Sequence, residues 1–363
     1  MNRPWLFPVL ICCLFARTAH SQLVEQALKP SNQLAVPFLL LSTDAVSSGM
    51  GEAGNALLSD NSTAEPNTAM ANFLERRFGV SITYTPWLRE LVRDRKLMFA
   101  GGFYRFESQM TMTASLNYLS YGQIDLIDIN NVNMGSIQPT EYVGSVGISK
   151  GFGSKFSLGM KLKLIHSNLY TGADAAVSRQ AGTAYCVNVS AFQRFPLNSF
   201  HNSEIAVSVN IENIGPKISY YNRADQRSFL PSNLKIGTAF KTRTTAEGEI
   251  GIALDFNKLL VPEKPLNADA SVMQSIVSSF SPGGGLGIGD IGASIGAQFC
   301  YRKTLSFRLG YNLQGDERSP GSFFSAGMGL KRKKIGLNLA YLSGNPQRTF
   351  LSNTMRFTLD YSM

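Results

Sequence analysis

Phe156-Ser157-Leu158-Gly159-Met160-Lys161-Leu162-Lys163-Leu164 alternates without interruption between large apolar residues and small or charged ones. Successive side chains on a β-strand point to opposite faces, so Phe156, Leu158, Met160, Leu162 and Leu164 share one face and Ser157, Gly159, Lys161 and Lys163 the other. The first face asks for an apolar surround and the second for a polar one. The split recurs where Leu305, Phe307, Leu309 and Tyr311 oppose Ser306, Arg308, Gly310 and Asn312. A lipid-facing exterior and a polar lumen satisfy both faces at once.

Working outward, fourteen such runs separated by turn residues extend from Phe78 to Thr85, the first, to Phe350 to Tyr361, the last. Their connections alternate in length. Glu107 to Gln109, Lys150 to Ser154, Phe195 to Asn202, Thr242 to Gly248, Arg302-Lys303 and Arg332 to Lys334 are mostly tight, whereas Pro86 to Lys96, Gly122 to Pro139, Leu169 to Ala181, Asn213 to Pro231 and Lys258 to Asp290 are longer. That order belongs to a barrel with a periplasmic turn side and an extracellular loop side, and an even strand count returns both ends to the turn side. Closure satisfies every backbone group in hydrocarbon and removes sheet edges. The expected fold is therefore an all-β transmembrane antiparallel barrel of about fourteen strands in the outer membrane. Charged residues make up 16% of the chain, less than a water-soluble sandwich or propeller normally carries on exposed strand positions, and no propeller repeat is present.

Ahead of the strands, residues 1–21 read as a signal peptide, with Arg3, an apolar core from Trp5 to Phe15 and a small-residue cleavage site at Ala19-His20-Ser21. That core of eleven residues is far short of the roughly 20 that a spanning helix needs. Residues 22–76 form an N-terminal extension, and the barrel takes 77–363. Gln33 to Leu74 does not alternate, and its apolar run Val36 to Leu41 favours burial as a hatch inside the lumen.

Export removes Cys12 and Cys13 and leaves Cys186 and Cys300, which could form one disulfide but both fall within alternating runs and are read as isolated thiols. Loss of Arg3 and Arg17 leaves 32 Lys and Arg against 25 Asp and Glu. No basic run is interleaved with aromatics as a nucleic-acid groove requires, so nucleic acid is not an expected partner. The densest cluster, Lys331-Arg332-Lys333-Lys334, reads as a turn beside outer-membrane lipid phosphates. No metal-ligand cluster is present, and neither a metal nor a cofactor is expected.

Gly287-Ile288-Gly289-Asp290-Ile291-Gly292 matches the dinucleotide pattern, but a loop precedes it and a strand follows, the reverse of what pyrophosphate binding needs. Gly292-Ala293-Ser294-Ile295-Gly296 matches the nucleophile elbow, yet the strand runs straight on through Tyr301. After export the histidines are His166 and His201, so Ser294 with His166 is the pair that an enzyme would have to use. No catalytic residues are assigned, and the chain is not expected to be an enzyme.

Loops carry hydrophobic residues without evident structural need. Trp87, Leu88 and Arg89, Phe229 and Leu230, and Leu259, Leu260 and Val261 are the expected partner contacts, because aromatic, aliphatic and arginine anchors dominate protein interfaces. An aromatic girdle at the membrane interface is the other reading of Trp87. The run from Val272 to Phe280 reads as a short amphipathic helix in the longest outward loop.

With these segments placed, the chain resembles the PorV family of outer-membrane barrels of the type IX secretion system, within the broader FadL-like superfamily. The resemblance rests on Ala35-Val36-Pro37-Phe38-Leu39-Leu40-Leu41-Ser42-Thr43-Asp44-Ala45, Gly49-Met50-Gly51-Glu52-Ala53-Gly54, Tyr84-Thr85-Pro86-Trp87-Leu88-Arg89, Asn213-Ile214-Gly215-Pro216-Lys217, Phe229-Leu230-Pro231-Ser232-Asn233-Leu234, Asp255-Phe256-Asn257-Lys258-Leu259-Leu260-Val261-Pro262 and Asn353-Thr354-Met355-Arg356-Phe357-Thr358-Leu359. It departs from the family at Ala64-Glu65-Pro66-Asn67-Thr68-Ala69, where Trp-Asn-Pro-Ala is usual. The resemblance implies a fourteen-stranded barrel with a hatch that binds the C-terminal signal domains of secreted cargo, takes them from the large translocon barrel and delivers them to a surface attachment complex with a sortase-like protease. Two alternatives are a FadL-like transporter of small apolar molecules, marked by a continuous apolar pocket between hatch and barrel, and a lipopolysaccharide deacylase using Ser294 with His166.

Overall fold

The computed structural model describes residues 34–57, 65, 67–86, 94–127, 130–169, 180–197, 203–220, 227–245, 247–262, 270–281, 290–316, 318–345, 349 and 351–363. The expected signal peptide, His201 and the loop residues Trp87, Leu88 and Arg89 lie outside them. The strands in chain order are β1 (Phe78–Pro86), β2 (Lys96–Arg105), β3 (Met110–Ser120), β4 (Ile124–Ile127), β5 (Asn133–Ile137), β6 (Thr140–Phe152), β7 (Phe156–Asn168), β8 (Gly182–Leu197) and β9 (Ser203–Ile214). They continue with β10 (Ile218–Ser219), β11 (Arg227–Ser228), β12 (Asn233–Arg243), β13 (Gly248–Leu259), β14 (Ile291–Tyr301), β15 (Leu305–Leu313), β16 (Phe323–Arg332), β17 (Ile335–Gly344) and β18 (Thr354–Ser362).

Fourteen of them close into one antiparallel barrel, with β1 hydrogen-bonded to β2 on one side and to β18 on the other. The seam runs in register from Gly79 opposite Ser362 to Tyr84 opposite Phe357. The remaining four form two small hairpins, β4–β5 and β10–β11, within long connections. The expected fold class and strand count are borne out.

The alternation that decides the fold is visible in the wall. On β7, Leu158, Met160, Leu162 and Leu164 are 44 to 61% exposed on the outer surface, whereas Ser157, Gly159, Lys161 and Lys163 face inward and are buried. A Lys pointing inward among apolar side chains would be costly; here the lumen is polar, so the cost is met by hydrogen bonds. No helix among the described residues is long and apolar enough to cross a membrane. Cys186 on β8 and Cys300 on β14 are both unpaired.

The N-terminal chain fills the lumen. A 3-10 turn, η1 (Pro37–Leu40), is followed by α1 (Ala45–Gly49) and a second 3-10 turn, η2 (Thr68–Phe73). Asp44 caps α1 by accepting from the backbone N–H groups of Val46 and Ser47, and Asn67 caps η2 through Ala69. The first packs against β15 to β18 and the second against β2, β3 and β6 to β8, so the hatch is pinned to opposite walls.

Candidate functional site

Hatch and wall are joined by polar contacts spread over most of the circumference. The backbone N–H of Ala45 donates to Thr358 Oγ1 at 3.0 Å, that of Gly51 to Ser325 Oγ at 2.8 Å and that of Asn55 to Asp255 Oδ2 at 2.8 Å. On the far side Ser157 Oγ donates to the Ala69 carbonyl at 2.7 Å, and Lys161 Nζ pairs with Glu65 Oε2 at 2.9 Å. Glu65 belongs to the block where the sequence departs from the family pattern, so the departure supplies the partner of a buried lysine. Arg356, fully buried on β18, donates to Ser48 Oγ and pairs with Glu52 Oε1 at 3.3 Å.

Close approach is made possible by glycine. A Cβ at Gly310 would fall inside the van der Waals envelope of Met50 and Gly51, and one at Gly296 would strike the Met50 carbonyl. Gly51 itself has φ +67, a left-handed conformation that glycine adopts at least cost. The Gly292-Ala293-Ser294-Ile295-Gly296 pattern thereby finds a role: Gly296 is where the wall receives the hatch.

Between hatch and wall lies a cavity of about 60 Å³. Its lining includes Glu52, Glu65, Lys163, Glu212, Lys235 and Asp255, with Lys235 Nζ 3.3 Å from Glu212 Oε2. Phe38, Leu39 and Leu41 supply its apolar part. A space of this size takes a few waters, and its carboxylates and ammonium groups suit water or ions.

At the extracellular end the loops stand on a buried base. Phe229 is 6% exposed, Leu230 2%, Leu259 5%, Leu260 2% and Val261 2%. These five, expected as partner contacts, turn inward and are buried within the chain. Phe229, Leu259 and Val261 pack with Ala270 against Leu34 and Leu40, and Leu230 joins the cluster around Val36, Phe38 and Leu41. The physical reason is the hatch, whose apolar N-terminal run needs a lid of its own kind, and Leu34 bridges to Phe229 to form it.

The base carries the expected helix, α2 (Val272–Ser278), whose Ser275 is buried and donates to the Leu260 carbonyl at 3.3 Å. Its other side is bare: Met273 is 65% exposed, Val277 64% and nearby Phe280 41%. The β4–β5 hairpin adds Ile127, Val132 and Met134, each more than half exposed. Sequence periodicity alone located the helix, but the hairpin escaped because its strands are four and five residues long.

Around the rim, Tyr121 Oη donates to Glu141 Oε2 at 2.8 Å, Ser167 Oγ to Glu141 Oε1, and Tyr220 Oη to Ser167 Oγ at 2.9 Å. Burial, reinforced by the Glu141 carboxylate, holds the Tyr121 hydroxyl well above the usual tyrosine range, so it remains a donor. Arg318 ties the next loop down by donating to the Val261 and Pro262 carbonyls at 2.8 and 3.1 Å.

The Ser294 and His166 that an enzyme would need do not meet. Ser294 faces the lumen and accepts from Asn312 Nδ2 at 2.7 Å, while His166 stands exposed on the outer face of β7 beside Thr183. The two strands lie on different arcs of the barrel, and the wall separates the side chains.

A family model described as type IX secretion system protein PorV matches residues 25–266. Among solved structures, the chain is similar to the toluene transporter TodX of Pseudomonas putida, at 12% identity and a TM-score of 0.52 over 88% of this chain and 96% of that one. A TodX deltaS2S3 mutant monoaromatic hydrocarbon channel aligns at 11% identity and a TM-score of 0.51, covering 88% and 97%. A FadL homologue of Pseudomonas aeruginosa aligns at 10% identity and a TM-score of 0.48, covering 92% and 100%. Comparison with curated proteins gives no match. Identities this low speak for a shared barrel fold alone.

Proposed function

Since this chain belongs to the PorV family and so to the outer-membrane apparatus of type IX secretion, we propose that it is a cargo-binding module. In this reading its extracellular rim holds the C-terminal signal domain of a secreted protein and passes it from the translocon barrel to the surface attachment complex. The observation that carries the reading is the contrast between a lumen that holds a pinned hatch beside a charge-lined cavity and a rim that presents Met273, Val277 and Phe280 bare to water. Exposed apolar side chains clustered on an ordered element are the usual mark of a protein-docking surface. Trp87, Leu88 and Arg89 are proposed as further contacts on the β1–β2 connection. Phe229, Leu230, Leu259, Leu260 and Val261 act beneath them, holding the loops in place.

Passage of an apolar molecule, as the names of the TodX structures suggest for those proteins, would call for a continuous greasy path. The cavity beside the hatch offers charged groups instead, which favours the binding role. The test is affinity purification of the full chain from membranes in mild detergent. Proteins bearing C-terminal signal domains should co-purify with the wild type and be lost from the Met273→Asp/Val277→Asp variant. Recovery of the intact barrel without any such cargo would overturn the proposal.

A further inference from the structure

Among the described residues, ten exposed Lys and Arg but only three exposed Glu stand on the periplasmic turns and just before β1. The densest part is an arc over two adjacent turns: Arg302-Lys303 between β14 and β15, and Lys331-Arg332-Lys333-Lys334 spanning the turn between β16 and β17.

We propose that this arc binds the phosphate headgroups of anionic glycerophospholipids in the periplasmic leaflet. Three independent observations converge on a lipid. The basic residues run directly into the lipid-facing wall, since Tyr301, Leu305, Leu330 and Ile335 are 38 to 56% exposed on the outer surface. Arg302 lies over the Tyr301 ring at 5.1 Å, and Arg332 follows Leu330 on the outward face and sits opposite Ile335. Such side chains stand at headgroup depth, where a guanidinium or ammonium reaches phosphate while its stem stays in hydrocarbon.

Charge balance supplies the second observation. Arg302 is paired with Glu247 at 2.7 Å and Lys303 with Glu75 at 3.2 Å, but Arg332, Lys333 and Lys334 form no ion pair with a described residue. Three neighbouring cations without counter-charge raise a positive potential that a phosphate relieves.

The backbone is the third. Arg302 and Lys303 both have φ +52 and Lys333 has φ +57, left-handed conformations that Asn or Gly adopts more readily in a two-residue hairpin turn. Basic side chains therefore occupy positions where local conformational preference alone would select other residues. A soluble acidic protein is the less suitable occupant, because the arc hugs the hydrocarbon boundary and such a partner would have to displace lipid to reach Arg332.

The experiment is native mass spectrometry of the purified full chain in detergent with cardiolipin, phosphatidylglycerol or phosphatidylethanolamine added separately. The wild type should retain the two anionic lipids and release the zwitterionic one. Each basic side chain near a membrane surface is worth roughly fivefold in affinity, so Arg332→Ser/Lys333→Asn/Lys334→Ser should weaken retention on the order of a hundredfold. Heat-modifiable mobility in gels establishes that the variant still forms its barrel. Equal lipid retention by variant and wild type overturns the proposal, as does equal retention of phosphatidylethanolamine. A Lys150→Ser/Lys155→Ser variant on the other side of the ring should keep its lipid, and a matching loss there would show diffuse attraction and no arc-specific site. If a glutamate-rich peptide binds nanodisc-embedded protein through the arc while lipid adducts are unaffected, the arc is a protein-docking surface and the proposal fails.

Discussion

Glu52 of the hatch and Arg356 of the last strand, 304 residues apart in sequence, stand 3.3 Å from each other inside the barrel. Arg356 is fully buried, so its charge depends on Glu52 and on the Ser48 hydroxyl for compensation. The contact couples the closing seam of the barrel to the segment that shuts its lumen.

Removal of one partner from a buried pair leaves the other charge uncompensated, at a cost of roughly 3 to 5 kcal/mol. Glu52→Ala is accordingly expected to loosen the hatch while the barrel persists. Hydrogen exchange should show protection falling over residues 42–57 with the wall strands unchanged; uniform protection in both proteins would refute the coupling.

Gly310→Val should have a larger effect, because the new side chain would occupy the space that Met50 and Gly51 fill. Conductance of the purified variant in planar bilayers should rise above the closed wild-type level. A Cβ at Gly144 meets nothing within 4 Å, so Gly144→Ala is the control and should stay closed.

The Tyr121 phenol supplies a test by pH. Its folded value lies above the ordinary value near 10, because burial and Glu141 both disfavour the phenolate. Its stabilising contribution is therefore fully present below that ordinary value and is lost as pH rises through the raised one. In an alkaline absorbance titration, Tyr121→Phe should remove a late-ionising phenol and leave the main tyrosine transition in place. If the early transition shrinks instead, the buried network around Glu141 is wrongly described.

Ser294→Ala combined with His166→Ala should leave the acylation of lipid A unchanged by mass spectrometry, since the two side chains are on opposite faces of the wall. A shift in acyl number in the double variant would restore the enzymatic reading.

Much of the architecture was legible because lipid and lumen impose a strict period of two, and Phe156 to Leu164 obeys it without exception. The hatch was legible only as a place, since α1 has five residues and η2 six, too short for any periodic signal. Loop hydrophobicity alone does not say which way a side chain turns. Phe229 and the Leu259 to Val261 run look alike in sequence whether they face a partner or cover Leu34 and Leu40, and only the hatch decides. The apolar run from Val36 to Leu41 held the missing signal, because a buried hatch end requires an equally apolar lid. Met273 and Val277 were within reach of sequence reasoning, lying four apart on the predicted helix, the spacing that puts two residues on one face.

The most direct measurement is the affinity of the purified protein for an isolated cargo signal domain by surface plasmon resonance, wild type against Met273→Asp/Val277→Asp. Loss of an interface anchor costs about 2 kcal/mol or more, so binding should weaken at least ~30-fold with the barrel intact. Unchanged affinity in the variant, or no binding by the wild type, would contradict the account.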